Sequence, residues 1–113
     1  MIETRLKTYI WVQIQQLRCT QLNLPIYVLH KGDESGGAAI IKIVLLNGLC
    51  RVFSQMRRAD GAPAWQSRSE GNKPLEEEEA NNYIARRLKS DPDLWVLEIE
   101  DPSGLYELDN EII

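Results

Sequence analysis

One histidine, two cysteines and a few clustered carboxylates are the residues of this 113-residue chain best equipped for chemistry. Histidine suits general acid–base work near neutrality, and Asp33 stands close enough to His30 in sequence to orient it. No serine or cysteine motif accompanies the two, so a nucleophile is missing. Alternation sets His30 on the strand face of Ile26 and Val28, as a half-buried side chain with a satisfied hydrogen bond. Cys19 and Cys50 lie far apart and lack the short paired spacing of a structural zinc site. Their apolar neighbours make them buried free thiols, with a Cys19–Cys50 bridge as the alternative. Asp33, Glu34, Glu98, Glu100 and Asp101 are oxygen donors that magnesium accepts. Nothing in their spacing converges them, and solvated carboxylates are the ordinary reading. No metal, no cofactor and no catalytic residue is therefore assigned, and the balance leans away from an enzyme.

Two further features carry candidate sites. Lys31-Gly32-Asp33-Glu34-Ser35-Gly36-Gly37 is a glycine-rich loop, and such loops cradle phosphate where their N–H groups converge at a helix start. This one leads into a strand and holds two carboxylates, so it matches neither nucleotide-binding pattern. By elimination, His30, Lys31, Gly32, Asp33 and Gly36 form the candidate ligand-binding set. The second feature is a mixed strand face, Lys42, Val44, Leu46, Arg51 and Phe53, which is the candidate interaction surface. Cations beside an aromatic can also bind single-stranded nucleic acid. An internal account competes: Glu98 and Glu100 on a neighbouring strand would pair with Lys42 and Arg51. Glu76-Glu77-Glu78-Glu79 is explained by a helix start, where negative charge meets the positive end of the macrodipole.

These residues need elements to hold them. Lys7 to Leu22 reads as a helix with Leu6, Ile10, Ile14 and Leu17 on its inward face, widened by Trp11 and Val12. Asn23 suits a left-handed closing residue, and Pro25 prevents continuation. Ile26 to Lys31 is a strand. Ala38 to Leu46 and Leu49 to Gln55 flank Asn47-Gly48, a strong β-hairpin signal because a type I′ turn needs positive φ at both central residues. That turn predicts Leu46 opposite Leu49, Leu45 opposite Cys50, Ile43 opposite Val52 and Ile41 opposite Ser54. The core face is then Ile41, Ile43, Leu45, Cys50 and Val52. Arg57 to Lys73 is polar, with a short strand at Ala64-Trp65-Gln66-Ser67. Pro74 opens a second helix with Ala80, Tyr83, Ile84 and Leu88 inward, and Asp91-Pro92 stops it. Leu94 to Asp101 alternates as a strand, with Trp95, Leu97 and Ile99 on one side.

Length and composition bound the whole. With 43% hydrophobic and 27% charged residues, the chain makes one core without staples. A net charge of −4 argues against non-specific nucleic-acid binding. Met1-Ile2-Glu3-Thr4-Arg5-Leu6-Lys7 carries charge where a signal peptide needs an apolar run, and no uncharged stretch approaches the ~20 residues that span a bilayer. The expectation is a cytoplasmic protein with no membrane partner.

Three stretches carry a family resemblance. They are Val28-Leu29-His30-Lys31-Gly32-Asp33 with a glycine soon after, Tyr83-Ile84-Ala85-Arg86-Arg87, and Asp91-Pro92-Asp93-Leu94-Trp95-Val96-Leu97-Glu98-Ile99-Glu100-Asp101. With Ala64-Trp65 between them, the chain resembles the bacterial family called domain of unknown function 1491. The loop Glu34-Ser35-Gly36-Gly37 departs from that family's more usual Pro-x-Ala-Gly, and Leu105 to Ile113 lies outside the resemblance. The likeness implies a small bacterial cytoplasmic domain and supplies no catalytic residue. The fold expected is α+β, a mostly antiparallel sheet of four to five strands with two helices packed on one face. One domain spans residues 1–104, and 105–113 is a weakly ordered tail. The leading functional expectation is a non-enzymatic protein-interaction module, as a homodimer or with another protein. The rivals are the Lys31–Gly37 ligand site and single-stranded nucleic-acid binding.

Overall fold

In the computed structural model, which describes residues 6–69, 71 and 73–113, two helices cover opposite faces of one sheet. The charged run at Met1–Arg5 lies outside the described residues. Among them, no helix is long and apolar enough to cross a membrane.

Helix α1 (Thr8–Gln21) ends as its sequence dictates. Asn23 takes φ 58°, its N–H reaches the Thr20 carbonyl, and the Leu24 N–H reaches that of Cys19 at 2.8 Å. This closes the helix in a Schellman motif. The buried face is not the expected one. Trp11, Val12, Gln15 and Cys19 point inward, while Leu6, Ile14 and Leu17 are exposed. Trp11 decides the rotation: its ring lies 5.8 Å from that of Trp65, a contact that buries more area than any leucine offers.

Strand β1 (Ile26–His30), β2 (Ala39–Val44), β3 (Leu49–Arg57), β4 (Pro63–Ser67), β5 (Leu75–Glu76), β6 (Trp95–Glu100) and β7 (Glu111–Ile112) form a seven-stranded sheet. Its order is β1-β6-β2-β3-β4-β7, with β5 added to β3. The β2–β6 and β4–β7 pairs are parallel and the others antiparallel. The sheet is thus mixed and larger than the four to five mostly antiparallel strands expected. Helix α2 (Glu77–Ser90) lies between β5 and β6 in sequence and bridges the return to β6, the covering connection that parallel neighbours require.

The helices do not share a face. Ile41, Ile43, Phe53, Trp65, Trp95, Leu97 and Ile99 pack with α1, and Ile40, Cys50, Val52 and Val96 with Ala80 and Ile84 of α2. Strands buried on both sides read as continuous apolar runs, and Ala39-Ile40-Ile41 is such a run. Pro74 does not begin α2. Leu75 and Glu76 first pair with Cys50 and Leu49, and the helix starts at Glu77 with three acidic residues in its first turn.

Between β2 and β3 the turn carries positive φ at both Asn47 (62°) and Gly48 (72°). The register nevertheless differs from the expected one: Val44 faces Cys50, Ile43 faces Arg51 and Ile41 faces Phe53. The cause is one extra residue. The N–H that reaches the Leu49 carbonyl belongs to Leu45, so Leu46 is bulged out and 64% exposed. A one-residue slip sends every β3 side chain to the other face. Cys50 and Val52 therefore join the α2 side, and Phe53 the α1 side.

The C-terminal residues expected as a loose tail belong to the domain. Asp101, 1% exposed, accepts the Leu105 N–H at 2.9 Å and the Tyr106 N–H at 2.8 Å. Tyr106 is buried, and its hydroxyl donates to Gln15 Oε1. Asp109 accepts the indole N–H groups of Trp11 and Trp65 at 2.7 and 3.1 Å, and β7 pairs with β4. Asp101→Ala should therefore cost about 2–3 kcal/mol in urea unfolding, since it orphans two N–H groups bonded to a buried carboxylate. A loss under about 0.5 kcal/mol, the size of an ordinary surface effect, would show that the tail is held elsewhere.

Candidate functional site

The glycine-rich loop packs closely against the backbone of Asp93 and Leu94. A methyl group at Gly32 or Gly37 would sit 2.1 or 2.2 Å from the Asp93 carbonyl oxygen, so both glycines exist for close backbone approach. The bonds around them continue the contact. The Asp33 N–H donates to the Asp93 carbonyl at 3.1 Å, and Trp95 Nε1 donates to the Asp33 carbonyl at 2.7 Å. His30 Nδ1 donates to the Leu94 carbonyl at 2.7 Å, and the Trp95 N–H to that of Ala38 at 2.9 Å. Asp33 Oδ2 is occupied by the Gly36 N–H. Among the described residues, Lys31 makes an exposed ion pair with Glu34.

His30, Gly32, Asp33 and Gly37 thus close a clamp between the β1–β2 connection and the Asp91–Trp95 segment, while Gly36 bonds only within the loop, to Asp33. The rival ligand site required Asp33 and Glu98 in one pocket, but Glu98 is engaged with Lys42. Neither carboxylate lines the clefts described below. Among the described residues, no three His, Cys, Asp or Glu side chains gather as metal ligands.

The Leu46 bulge also breaks up the expected interaction surface. Lys42 lies on the α2 side, where only 2% of it is exposed. Its Nζ lies 2.9 Å from Glu98 Oε1, 3.1 Å from Glu77 Oε2 and 2.8 Å from Asn81 Oδ1. Three donors meet three acceptors, and no N–H is left over. One member of the glutamate run therefore neutralises a buried cation besides facing the helix start. Arg51, displaced to the other face with Ile43, lines a cleft with Tyr106 and Leu108, and Phe53 is buried. An open strip of Lys42, Val44, Leu46, Arg51 and Phe53 does not exist, which removes the basis for a nucleic-acid face there.

Open surfaces among the described residues lie on the α1 side of the sheet and along its β1 edge. One is a cleft of about 470 Å³ lined by Thr8, Trp11, Gly37, Arg57, Pro63 and Asp109. A second, of about 490 Å³, lies between β3 and the C-terminal segment. Another is the outer edge of β1, where Tyr27, Val28 and Leu29 are 47%, 38% and 50% exposed. Both clefts depend on residues after Gly104, which the reading of a loose tail had set aside. Asp101, flanked four and five residues on by two apolar residues, was the available sign of a pinned segment.

A family model described as "Protein of unknown function (DUF1491)" matches residues 6–109. The match extends past Leu105, where the resemblance was expected to end. A crystal structure of a DUF1491 family protein from Caulobacter crescentus CB15 is 32% identical, covers 96% of this chain and all of that one, and superposes with TM-score 0.85. An NMR structure of a DUF1491 family protein from the same organism is also 32% identical, with 98% and 99% covered and TM-score 0.84. The solution structure of protein Atu0922 from A. tumefaciens is 25% identical over 88% of this chain and 89% of that one, TM-score 0.73. No curated protein matches.

The buried groups give the domain an alkaline limit. Burial pushes the Cys19 and Cys50 thiols above their ordinary 9.0, against the pull of Arg18 and Lys42. Burial likewise pushes the Tyr106 phenol far above 10.0, against Arg18. Burial pulls the Lys42 ammonium down, but hydrogen bonds to Glu98 and Glu77 outweigh it and leave the group above 10.5. At high pH all four hold protons that the unfolded chain releases, so stability falls as pH rises. The urea midpoint should drop from about pH 9 upward and more steeply above about 10. A midpoint unchanged between about pH 8.5 and 10.5 would contradict this burial.

Proposed function

Because the chain belongs to the DUF1491 family, a family of unknown function, we propose a reading from its surfaces: it is a protein-interaction module that works through the open edge of β1. The observation that carries this is the contrast between the two ends of the sheet. Exposed strand edges invite pairing, and proteins blunt them with shortness, charge or bulges. At one end β7 is two residues long and holds Glu111, which pairs with Arg58. At the other, β1 offers five residues with no Lys, Arg, Asp or Glu among them. Its one guard is an irregularity between Val28 and His30.

A second copy is the occupant that fits this edge most simply. Antiparallel self-pairing centred on Val28 would set Tyr27 against the partner's Leu29, an aromatic–aliphatic cross-strand pair. A two-fold contact of this kind closes on itself and leaves no edge to propagate. The two buried free thiols, Cys19 and Cys50, support a reducing, cytoplasmic setting. Light scattering over a concentration series should give the mass of a dimer. Leu29→Lys should return it to monomer while changing stability in dilute solution by no more than about 0.5 kcal/mol. A wild-type chain that stays monomeric throughout the series removes the dimer.

A further inference from the structure

We infer that the surface where β3 and β4 meet α2 binds a small phosphoryl anion through Arg68, Arg87, Tyr83 and Ser54. Tyr83 and Arg87 lie one helical turn apart, on the side of α2 that faces Ser54. Ser54 Oγ and Tyr83 Oη are 2.9 Å apart. Arg87 Nη1 lies 3.1 Å from the first and 2.7 Å from the second, which closes a triangle. The guanidinium of Arg68 stands 4.8 Å from the centre of the Tyr83 ring, and that of Arg87 stands 5.8 Å from it. Gln66 pairs opposite Ser54 on β4 and is exposed, adding an amide to the same side of the sheet.

Counting donors gives the ligand its character. The two Nη1 hydrogens of Arg87 serve the two hydroxyl oxygens, and one hydroxyl hydrogen bridges to the other oxygen. The second hydroxyl hydrogen, the rest of the Arg87 fork and the five Arg68 side-chain N–H groups have no acceptor among the described residues. Among the described residues, no carboxylate lies within ion-pair distance of either guanidinium. Lys42 shows the opposite arrangement, with each of its three donors matched.

Two cations beside one ring repel each other, and a dianion relieves that repulsion. A carboxylate has two oxygens and one charge, too few for donors arriving from two forks and the one remaining hydroxyl hydrogen. A phosphoryl group supplies three oxygens and close to two charges, and planar guanidinium forks match its geometry. The site lies on the opposite side of the sheet from the 470 Å³ cleft and does not involve β1.

Titration of ¹⁵N-labelled protein with inorganic phosphate, against acetate at matched ionic strength, tests this. Phosphate should give saturable shifts at the Arg68 and Arg87 side-chain N–H groups and the Ser54 amide, and acetate should not. Adenosine monophosphate and adenosine form a second pair: the nucleotide should reproduce the phosphate shifts and the nucleoside should leave them unmoved. Arg68→Ala removes an exposed side chain whose described contact is the Tyr83 ring. It should keep the melting temperature and weaken phosphate binding at least about tenfold. Arg87→Lys keeps the charge but loses the fork, and should weaken binding similarly. Equal shifts with acetate, shifts produced by adenosine, or full affinity in Arg68→Ala would each overturn the assignment.

Discussion

The close backbone approach of Gly32 and Gly37 to the Asp93 carbonyl is the constraint on which the rest of the fold depends. Strand β6 lies between β1 and β2, so its placement fixes two ladders at once. Its first residue is set by the clamp: the Trp95 indole reaches back to Asp33, and its backbone N–H starts the ladder at Ala38. From there Ala39 faces Trp95 and Val44 faces Glu100, without a break in register. A side chain at either glycine would push the segments apart by more than an ångström, which no rotamer change can absorb because the neighbour is backbone. The stretches by which the chain resembles its family, around His30–Asp33 and Asp91–Trp95, are therefore the two halves of one structural joint.

This joint shifts the functional question to the surface. Polar groups of the interior are matched within the protein: Lys42 by Glu98, Glu77 and Asn81, Asp109 by two indoles, and Tyr106 by Gln15. Such closed networks stabilise and specify a fold, but they leave nothing for a ligand to complete. Unmatched capacity occurs at the edge of β1, as open backbone groups beside exposed apolar side chains. It occurs again beside Tyr83, as guanidinium N–H groups of Arg68 and part of the Arg87 fork that meet no acceptor among the described residues. The two surfaces involve different elements, so one partner could bind while the other site is filled.

Much of the local structure was legible in the residues. Asn23 ends α1 in the left-handed region, Asn47 and Gly48 both take positive φ, and Trp95, Leu97 and Ile99 share a buried face. What escaped was set by packing across long sequence distances. The α1 stripe of Leu6, Ile14 and Leu17 is as regular as the buried one; Trp65 and Asp109 select Trp11 instead. A bulge of one residue at Leu46 leaves no mark in the sequence, yet it inverted the faces of β3 and with them the proposed interaction strip. The C-terminal segment looked loose because its order rests on single polar contacts, Asp101 to two N–H groups and Asp109 to two indoles. Periodicity does not register contacts of that kind. In the candidate ligand loop, Gly32 and Gly37 lie against the Asp93 backbone, a contact between distant segments that the loop's own residues do not announce.

Hydrogen exchange at the Asp33 amide and the Trp95 indole measures the clamp directly. Both protons point across the joint, one to the Asp93 carbonyl and one to that of Asp33. If β6 is held in place by this contact, neither can exchange until the sheet itself opens. Their exchange free energies should then equal the global unfolding free energy obtained from urea, and both should fall together in Gly37→Ala. Exchange of either proton by local opening, at a free energy well below the global value, would contradict the dependence of the fold on this joint.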